Sequence, residues 1–253
     1  DLNLDLKKVK LTLDPLKFKI DAKTIGATIY FLNRPLELKY IKTQVSLDSI
    51  FKNKLVSTNF ELATKQILLE DLVKFSRSIK FKPELLILEA MIDEGYIILD
   101  FNLNLDQNGK IKNDYEVKGI VNDGKIKFLN NINFEKINFL FNLKDRNYLF
   151  RNIKFTTDNV NFNSESLKIF NINNNYQIEG EIKNSKSTLS KNLFKLLKIK
   201  LKNLDFKKTN FSSKNNFKFE IDRNFKIKNL ILGSQININQ IIYKNDIDYL
   251  DYF

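Results

Sequence analysis

Few side chains in this sequence could do chemistry. Histidine and cysteine are both absent. That removes the usual general base, the common nucleophile triads, thiolate zinc sites and any disulfide framework. Carboxylates, hydroxyls and lysines remain, so carboxylate-only chemistry and a Ser–Lys pair stay open. The adjacent acids are Glu70-Asp71 and Asp93-Glu94. An acid–base couple needs two carboxyls converging on one substrate. Neighbouring residues on a strand point to opposite faces, and on a helix they diverge by about 100°. Turn and first-turn roles suit these four residues better. Asp106-Gln107-Asn108-Gly109-Lys110 faintly resembles a calcium loop, but it lacks the bidentate Glu and its spacing reads as a hairpin. Gly109, Gly119, Gly124 and Gly180 lack the strand–loop–helix setting of a phosphate loop. We expect a protein that is not an enzyme, with no catalytic residue, no metal and no cofactor.

The elements that would carry such residues are mostly strands. Leu2, Leu4 and Leu6 alternate with polar residues, and so do Val9, Leu11 and Leu13. The runs Leu16/Phe18/Ile20, Ile25/Ala27/Ile29/Phe31, Leu36/Leu38/Tyr40 and Val56/Thr58/Phe60/Leu62 continue the period of two. A short turn or helical piece is expected near residues 49–54. Leu69, Leu72, Val73, Ser76 and Ile79 fall at helical spacing, with Glu70 and Asp71 in the first turn. Pro83 ends that helix or opens a short one over Glu84 to Ala90.

From Tyr96 the alternation resumes. Asn108-Gly109 and Asp123-Gly124 each read as a hairpin. Separate strands are expected at Ile132/Phe134, Ile137 to Leu143, Tyr148/Phe150 and Ile153/Phe155. Thr188 to Lys200 fits a further helix with Ser187 or Ser190 as its cap. The sum is about fifteen strands and two or three short helices. Most strands have one apolar and one polar face, the mark of antiparallel pairing. So few helices cannot cover so many apolar faces. Either the sheet closes as a sandwich or barrel, or it curls into a groove.

The chain has 253 residues, 43% of them hydrophobic, enough for a substantial core. Its net charge of +12 suits an anionic surface or nucleic acid, but Lys, Asn, Ile and Phe are enriched together, as in an AT-rich coding bias. The lysines alternate with apolar residues, so aromatics and cations fall on opposite faces. Base stacking needs both on one side, and we expect no nucleic-acid partner. No run of about 18 apolar residues is present. The chain opens at Asp1 in strand pattern without Met, and we read it as a segment of a longer protein.

The order of motifs repeats. Tyr115-Glu116-Val117-Lys118-Gly119 returns as Tyr176-Gln177-Ile178-Glu179-Gly180. Asn133 to Phe139 is echoed by Asp205 to Phe211, and Phe150 to Ile153 by Ile227 to Leu230. The offset is roughly 60 to 80 residues, as in a quasi-one-dimensional β assembly. Gly119 and Gly180, matched within strands, suggest bulges or bends that curve the sheet. Phenylalanine occurs 22 times. Alternation places Phe128, Phe134, Ile137, Phe139, Phe141, Phe150, Phe155, Phe162, Ile169, Ile178, Phe219 and Ile227 on one stripe. Such a stripe is either a filled core or a lining for acyl chains.

Thr64-Lys65-Gln66-Ile67-Leu68-Leu69-Glu70-Asp71-Leu72-Val73-Lys74-Phe75, then Gly95 to Phe101, Asn108 to Ile111 and Tyr115 to Gly119, resemble the AsmA-like superfamily of TamB- and YhdP-type envelope proteins. Pro15 to Ile20 and Tyr40 to Leu47 are similar to that group's membrane-proximal module. The resemblance implies a mainly β fold, a long twisted antiparallel sheet curled into an open groove. It also implies a periplasmic protein of Gram-negative bacteria, anchored in the inner membrane through flanking segments, that conducts phospholipid toward the outer membrane. On this basis residues 1–92 are expected to form the membrane-proximal module. Residues 93–253 are expected to form a repeating groove, with units near 96–185 and 186–240. Adjacent repeats or envelope proteins would meet its sheet edges. The competing expectation is a structural, adhesin-like β protein with a closed core. A basic nucleic-acid binder is the third.

Overall fold

The computed structural model describes residues 2–16, 18–31, 34–47, 59–79, 83–106, 112–128, 132–172, 175–188, 206–222 and 226–243. The N-terminal half contains β1 (Leu2–Asp5), β2 (Lys8–Asp14), β3 (Lys19–Ile25), β4 (Thr28–Phe31), β5 (Arg34–Ser46), β6 (Asn59–Thr64) and β7 (Ile67–Leu68). Two helices follow, α1 (Leu69–Ile79) and α2 (Pro83–Met91). Then come β8 (Ile92–Asn104), β9 (Glu116–Phe128), β10 (Ile132–Lys144), β11 (Asn147–Thr157), β12 (Val160–Ile172), β13 (Asn175–Thr188), β14 (Phe206–Ile221) and β15 (Ile227–Tyr243).

All fifteen strands belong to one antiparallel sheet that does not close. From β8 to β15 each strand pairs with the next in sequence, an antiparallel meander of alternating strands. At the other end β5 pairs with β4 over its first residues and with β3 over its last. The long path runs β2-β3-β5-β6-β8 and on to β15. At about 4.8 Å per strand it spans roughly 50 Å. The sheet passes directly from β6 to β8, with Asn59 opposite Asn104 and Ala63 opposite Asp100.

Residues paired directly across an antiparallel ladder share a face. One such line runs Val9, Thr24, Ile41, Leu62, Phe101, Val117, Leu143, Tyr148, Ile169, Ile178 and Phe219. This is the inner face. The next line on the outer face runs Lys10, Lys23, Lys42, Glu61, Asn102 and Glu116. Opposite charges meet there, as in Lys42–Glu61 at 3.2 Å, Lys118–Glu116 at 3.1 Å and Lys214–Glu181 at 2.9 Å.

α1 covers one part of the inner face. Glu70 and Asp71 occupy its first turn and Arg77 its last, complementing the helix dipole. Phe75 packs with Ala27, Leu36 and Leu38, and Leu69 and Leu72 pack on Ile97, Leu99 and Val121. α2 is tied to α1 by the Arg77–Glu89 ion pair at 2.8 Å.

Several expectations need correction. Asp123-Gly124 is not a hairpin. Pairing continues through it, from Val121 opposite Phe139 to Gly124 opposite Ile137 and Ile126 opposite Phe134. Asp123 adopts φ 51° and its N–H donates to Asn138 Oδ1 at 3.1 Å. The dipeptide is a bulge, because Asp tolerates left-handed backbone and a side-chain amide replaces the missing ladder bond. Similar left-handed residues sit at Lys136 in β10, Asn152 in β11 and Asn229 in β15. Each inserts one residue, so Phe134 and Ile137, three apart, share a face. The strands expected as separate at Ile132/Phe134 and Ile137–Leu143 are therefore one strand, and so are Tyr148/Phe150 and Ile153/Phe155. Gly119 and Gly180 are not bulges. They pair in register with Phe141 and Phe217. Thr188, expected to open a helix, ends β13. The rest of that helix, the piece at 49–54 and the Asn108-Gly109 hairpin lie outside the described residues.

Candidate functional site

The candidate site is the inner face from β10 to β15, beyond the cover of α1. Phe139 and Phe141 alternate on β10, and Phe150 stands across from Phe141 on β11. The Phe139 and Phe150 rings meet edge to face at 5.6 Å. Phe134 meets Phe155 edge to face at 5.6 Å, and Phe155 stacks on Phe162 at 5.2 Å. Tyr148 stacks on Phe150 at 6.4 Å. Burial among these rings raises the Tyr148 hydroxyl pKa above its ordinary value. Offset and edge contacts of this kind suit aromatic quadrupoles and fix the rings as a continuous surface.

The stripe continues across the register. Ile169 pairs with Ile178, Ile178 with Phe219, and Ile221 with Ile227. Eleven of the expected lining residues are thus brought to one face: Phe134, Ile137, Phe139, Phe141, Phe150, Phe155, Phe162, Ile169, Ile178, Phe219 and Ile227. Phe128 pairs with Ile132 at the end of β9; its side chain lies outside the described residues.

Burial grades along the stripe. Ile97, Leu99 and Val121 are buried beneath α1. Phe139, Phe141, Phe150, Phe155 and Phe162 are half-buried. At β15, Leu232 is 63% exposed and Ile236 and Ile238 are exposed as well. The same holds at the far edge, where Leu11 on β2 is 68% exposed. A closed core would bury all of these.

Sequence reasoning missed part of this face. Tyr148, Leu167, Phe217, Leu232, Ile236 and Ile238 share it by register. Alternation within the same strands carried that signal. It also missed a polar band that crosses β13 to β15. Asn184 pairs with Ser213, and Asn215 with Ser234, all on the inner face. Ser213 Oγ donates to Asn184 Oδ1, and Asn215 Nδ2 donates to Ser213 Oγ at 3.0 Å. Asn184 Nδ2 also donates to the Phe211 carbonyl at 3.4 Å. The band separates Phe155, Phe162 and Phe211 from Phe217 and Phe219. Asn and Ser read as outward-facing residues, which is why alternation did not flag it.

Two of the acids singled out in the sequence, Asp93 and Glu70, are engaged in ion pairs away from this face. Hydrogen bonding from the Lys127 ammonium at 2.7 Å, with Lys125 beside it, holds the Asp93 carboxyl below the usual range. Glu70 pairs with Lys74 one turn along α1. Of the calcium-like run, Gln107 to Lys110 lie outside the described residues. Among the described residues no group of three or more acids could hold a metal ion, and no helix is long and apolar enough to cross a membrane. The arrangement presents apolar side chains along one face of an open sheet and charged ones along the other. No protein-family model, curated protein or solved structure matches the chain.

Proposed function

We propose that the inner face is an acyl-chain groove and that the protein binds phospholipid and conducts it along the sheet. The observation that carries this reading is the open apolar stripe from β10 to β15, lined by interlocked rings and left uncovered by the described residues, on a sheet with a charged outer face. A lipid exposes many methylenes, each costing about 0.8 kcal/mol in water. A lined groove removes that cost along its whole length. The open long side lets a headgroup remain in solvent while the chains slide. No polar reader is needed within the stripe.

Placement in the envelope follows from the resemblance to the AsmA-like superfamily. Under that reading this region stands in the periplasm, is held to the inner membrane through flanking segments, and serves outer-membrane biogenesis. Its sheet edges would meet adjacent repeats or envelope proteins. The chain performs no covalent chemistry in this account.

The test is native mass spectrometry with lipid extraction, on protein purified from a Gram-negative host in mild detergent. Co-purifying phospholipid, lost on Phe150→Asp and Phe219→Asp while the circular dichroism spectrum is kept, is the expected result. A stable, lipid-free protein that those same changes unfold would refute the groove.

A further inference from the structure

The described residues leave β15 at one edge of the sheet. Its 17 residues pair with β14 on one side only. Natural edge strands are short, charged, proline-bearing or covered, because an open ladder recruits any strand. Among the described residues nothing covers β15, and it is long and free of proline. From Asn229 to Tyr243 it contains no Asp, Glu, Lys, Arg or Pro, in a chain where 28% of residues are charged. Over that span both faces are uncharged: the inner one exposes Leu232, Ile236 and Ile238, and the outer one presents Ile231, 66% exposed, followed by Gly233, Gln235 and Asn237. The opposite edge strand, β2, has 7 residues and carries Lys8, Lys10 and Asp14.

We propose that β15 pairs antiparallel with β15 of a second copy, joining two sheets about a twofold axis. Charge is the first reason. A register centred on Gln235 sets Leu232 opposite Ile238, brings no like charges together, and keeps the two copies of Lys228 at opposite ends of the ladder. Length is the second, since only a strand as long as β15 satisfies its whole free edge. Face is the third. In antiparallel pairing about that axis both inner faces stay on one side, so the exposed Leu and Ile of each copy gain apolar neighbours and the stripe runs on unbroken. Pairing β15 with β2 of another copy would instead leave most of β15 open and build a non-closing chain. This inference does not rest on the lipid reading, and it makes a second copy, rather than an adjacent repeat or envelope protein, the occupant of the β15 edge.

The test uses the absence of native cysteine. Sedimentation of the intact chain should give a mass near twice 29.8 kDa. The double variant Ile231→Lys/Asn237→Lys, altered only on the exposed outer side of the strand, should sediment as a folded monomer. Single cysteines at Gly233, Gln235 and Asn237 should include at least one that oxidises to a disulfide-linked dimer, and Lys10→Cys on β2 should not. A monomer at all concentrations, or a dimer that survives the lysines, overturns the proposal and leaves the edge to a strand of other origin. A crosslink found only between β15 and β2 cysteines also overturns it, in favour of head-to-tail association.

Discussion

The ring of Phe141 on β10 lies directly over Gly119 on β9. A β-carbon at Gly119 would stand 2.4 Å from Phe141 Cε1 and 2.9 Å from Leu99 Cδ2. The matched glycine of the second motif has the same kind of neighbour, with Phe217 Cζ 3.1 Å from a β-carbon at Gly180. The repeated Tyr–x–x–x–Gly motif is thus a seat for a ring on the following strand. The Phe139–Phe141 and Phe217–Phe219 pairs, with ring centroids at 6.2 and 6.0 Å, mark the two seats.

Gly119→Ala should therefore displace the Phe141 ring and cost about 1–3 kcal/mol, the range for overpacking a filled site. Gly180→Ala should cost less, because only one ring atom must yield. Phe141→Leu placed beside Gly119→Ala should recover part of the loss. Urea denaturation of the four proteins checks the order.

The bulges make a second, opposite prediction. Lys136 holds φ 52° within a strand. Lys136→Gly should leave stability equal or higher, while Lys136→Val should cost about 1–2 kcal/mol through strain at a left-handed site. Gly95 holds φ 129°, and a β-carbon there would lie 2.8 Å from the Gly124 Cα. Gly95→Ala should therefore destabilise more than Lys136→Val. Thermal unfolding monitored by circular dichroism distinguishes these outcomes.

Outer-face carboxylates give the fold an acid limit. Hydrogen bonds from Lys183 and Lys214 lower the Glu181 pKa, and those from Asn142 and Lys118 lower that of Glu116. A lowered folded pKa contributes stability above the unfolded value, near 4.3 for Glu, that is lost as pH falls through the folded one. Raised values act at the other end. Lys183, bonded to Glu181 and Glu165, and the half-buried Tyr148 contribute stability below their unfolded values, and it is lost as pH rises through the folded ones. Stability should be flat near neutrality and fall below about pH 4 and above about pH 10. Added salt should weaken the outer-face part, which lies in solvent. Denaturant midpoints across pH at two salt concentrations measure it.

Much of this was legible in the sequence, for identifiable reasons. α1 was readable because Leu69, Leu72, Val73 and Ile79 share one face and its acids sit in the first turn. The antiparallel sheet followed from alternation; the few helices left a closed sheet and an open groove as alternatives, and the open form was the one the family resemblance implied. The stripe followed from the same parity. Strand continuity was hidden at Lys136, Asn152 and Asn229, where one extra residue shifts parity and mimics a strand end. Asp123-Gly124 misled for a related reason. The same left-handed preference serves a hairpin turn or a bulge, and only the neighbouring strand, through Asn138, decides between them. The roles of Gly119 and Gly180 depended on rings more than 20 residues away, which local pattern does not show.

The graded burial of the stripe separates fold from binding. Val121 is buried beneath α1, and Val121→Asp should unfold the protein, since a carboxylate there has neither water nor partner. Leu232→Asp, at a position open to solvent, should leave the melting temperature within a few degrees of the parent and abolish uptake of a fluorescent fatty acyl probe. Parallel melting and probe titrations test the pair.

The most direct measurement is site-specific photocrosslinking to radiolabelled phospholipid. Benzoylphenylalanine would replace Phe150, Leu167, Phe219 or Leu232 on the inner face, and Lys154, Lys168, Lys218 or Ile231 on the outer. The groove account expects lipid adducts at the inner positions on β11, β12, β14 and β15 and none at the outer ones. Equal labelling of both faces, or none at either, would contradict it.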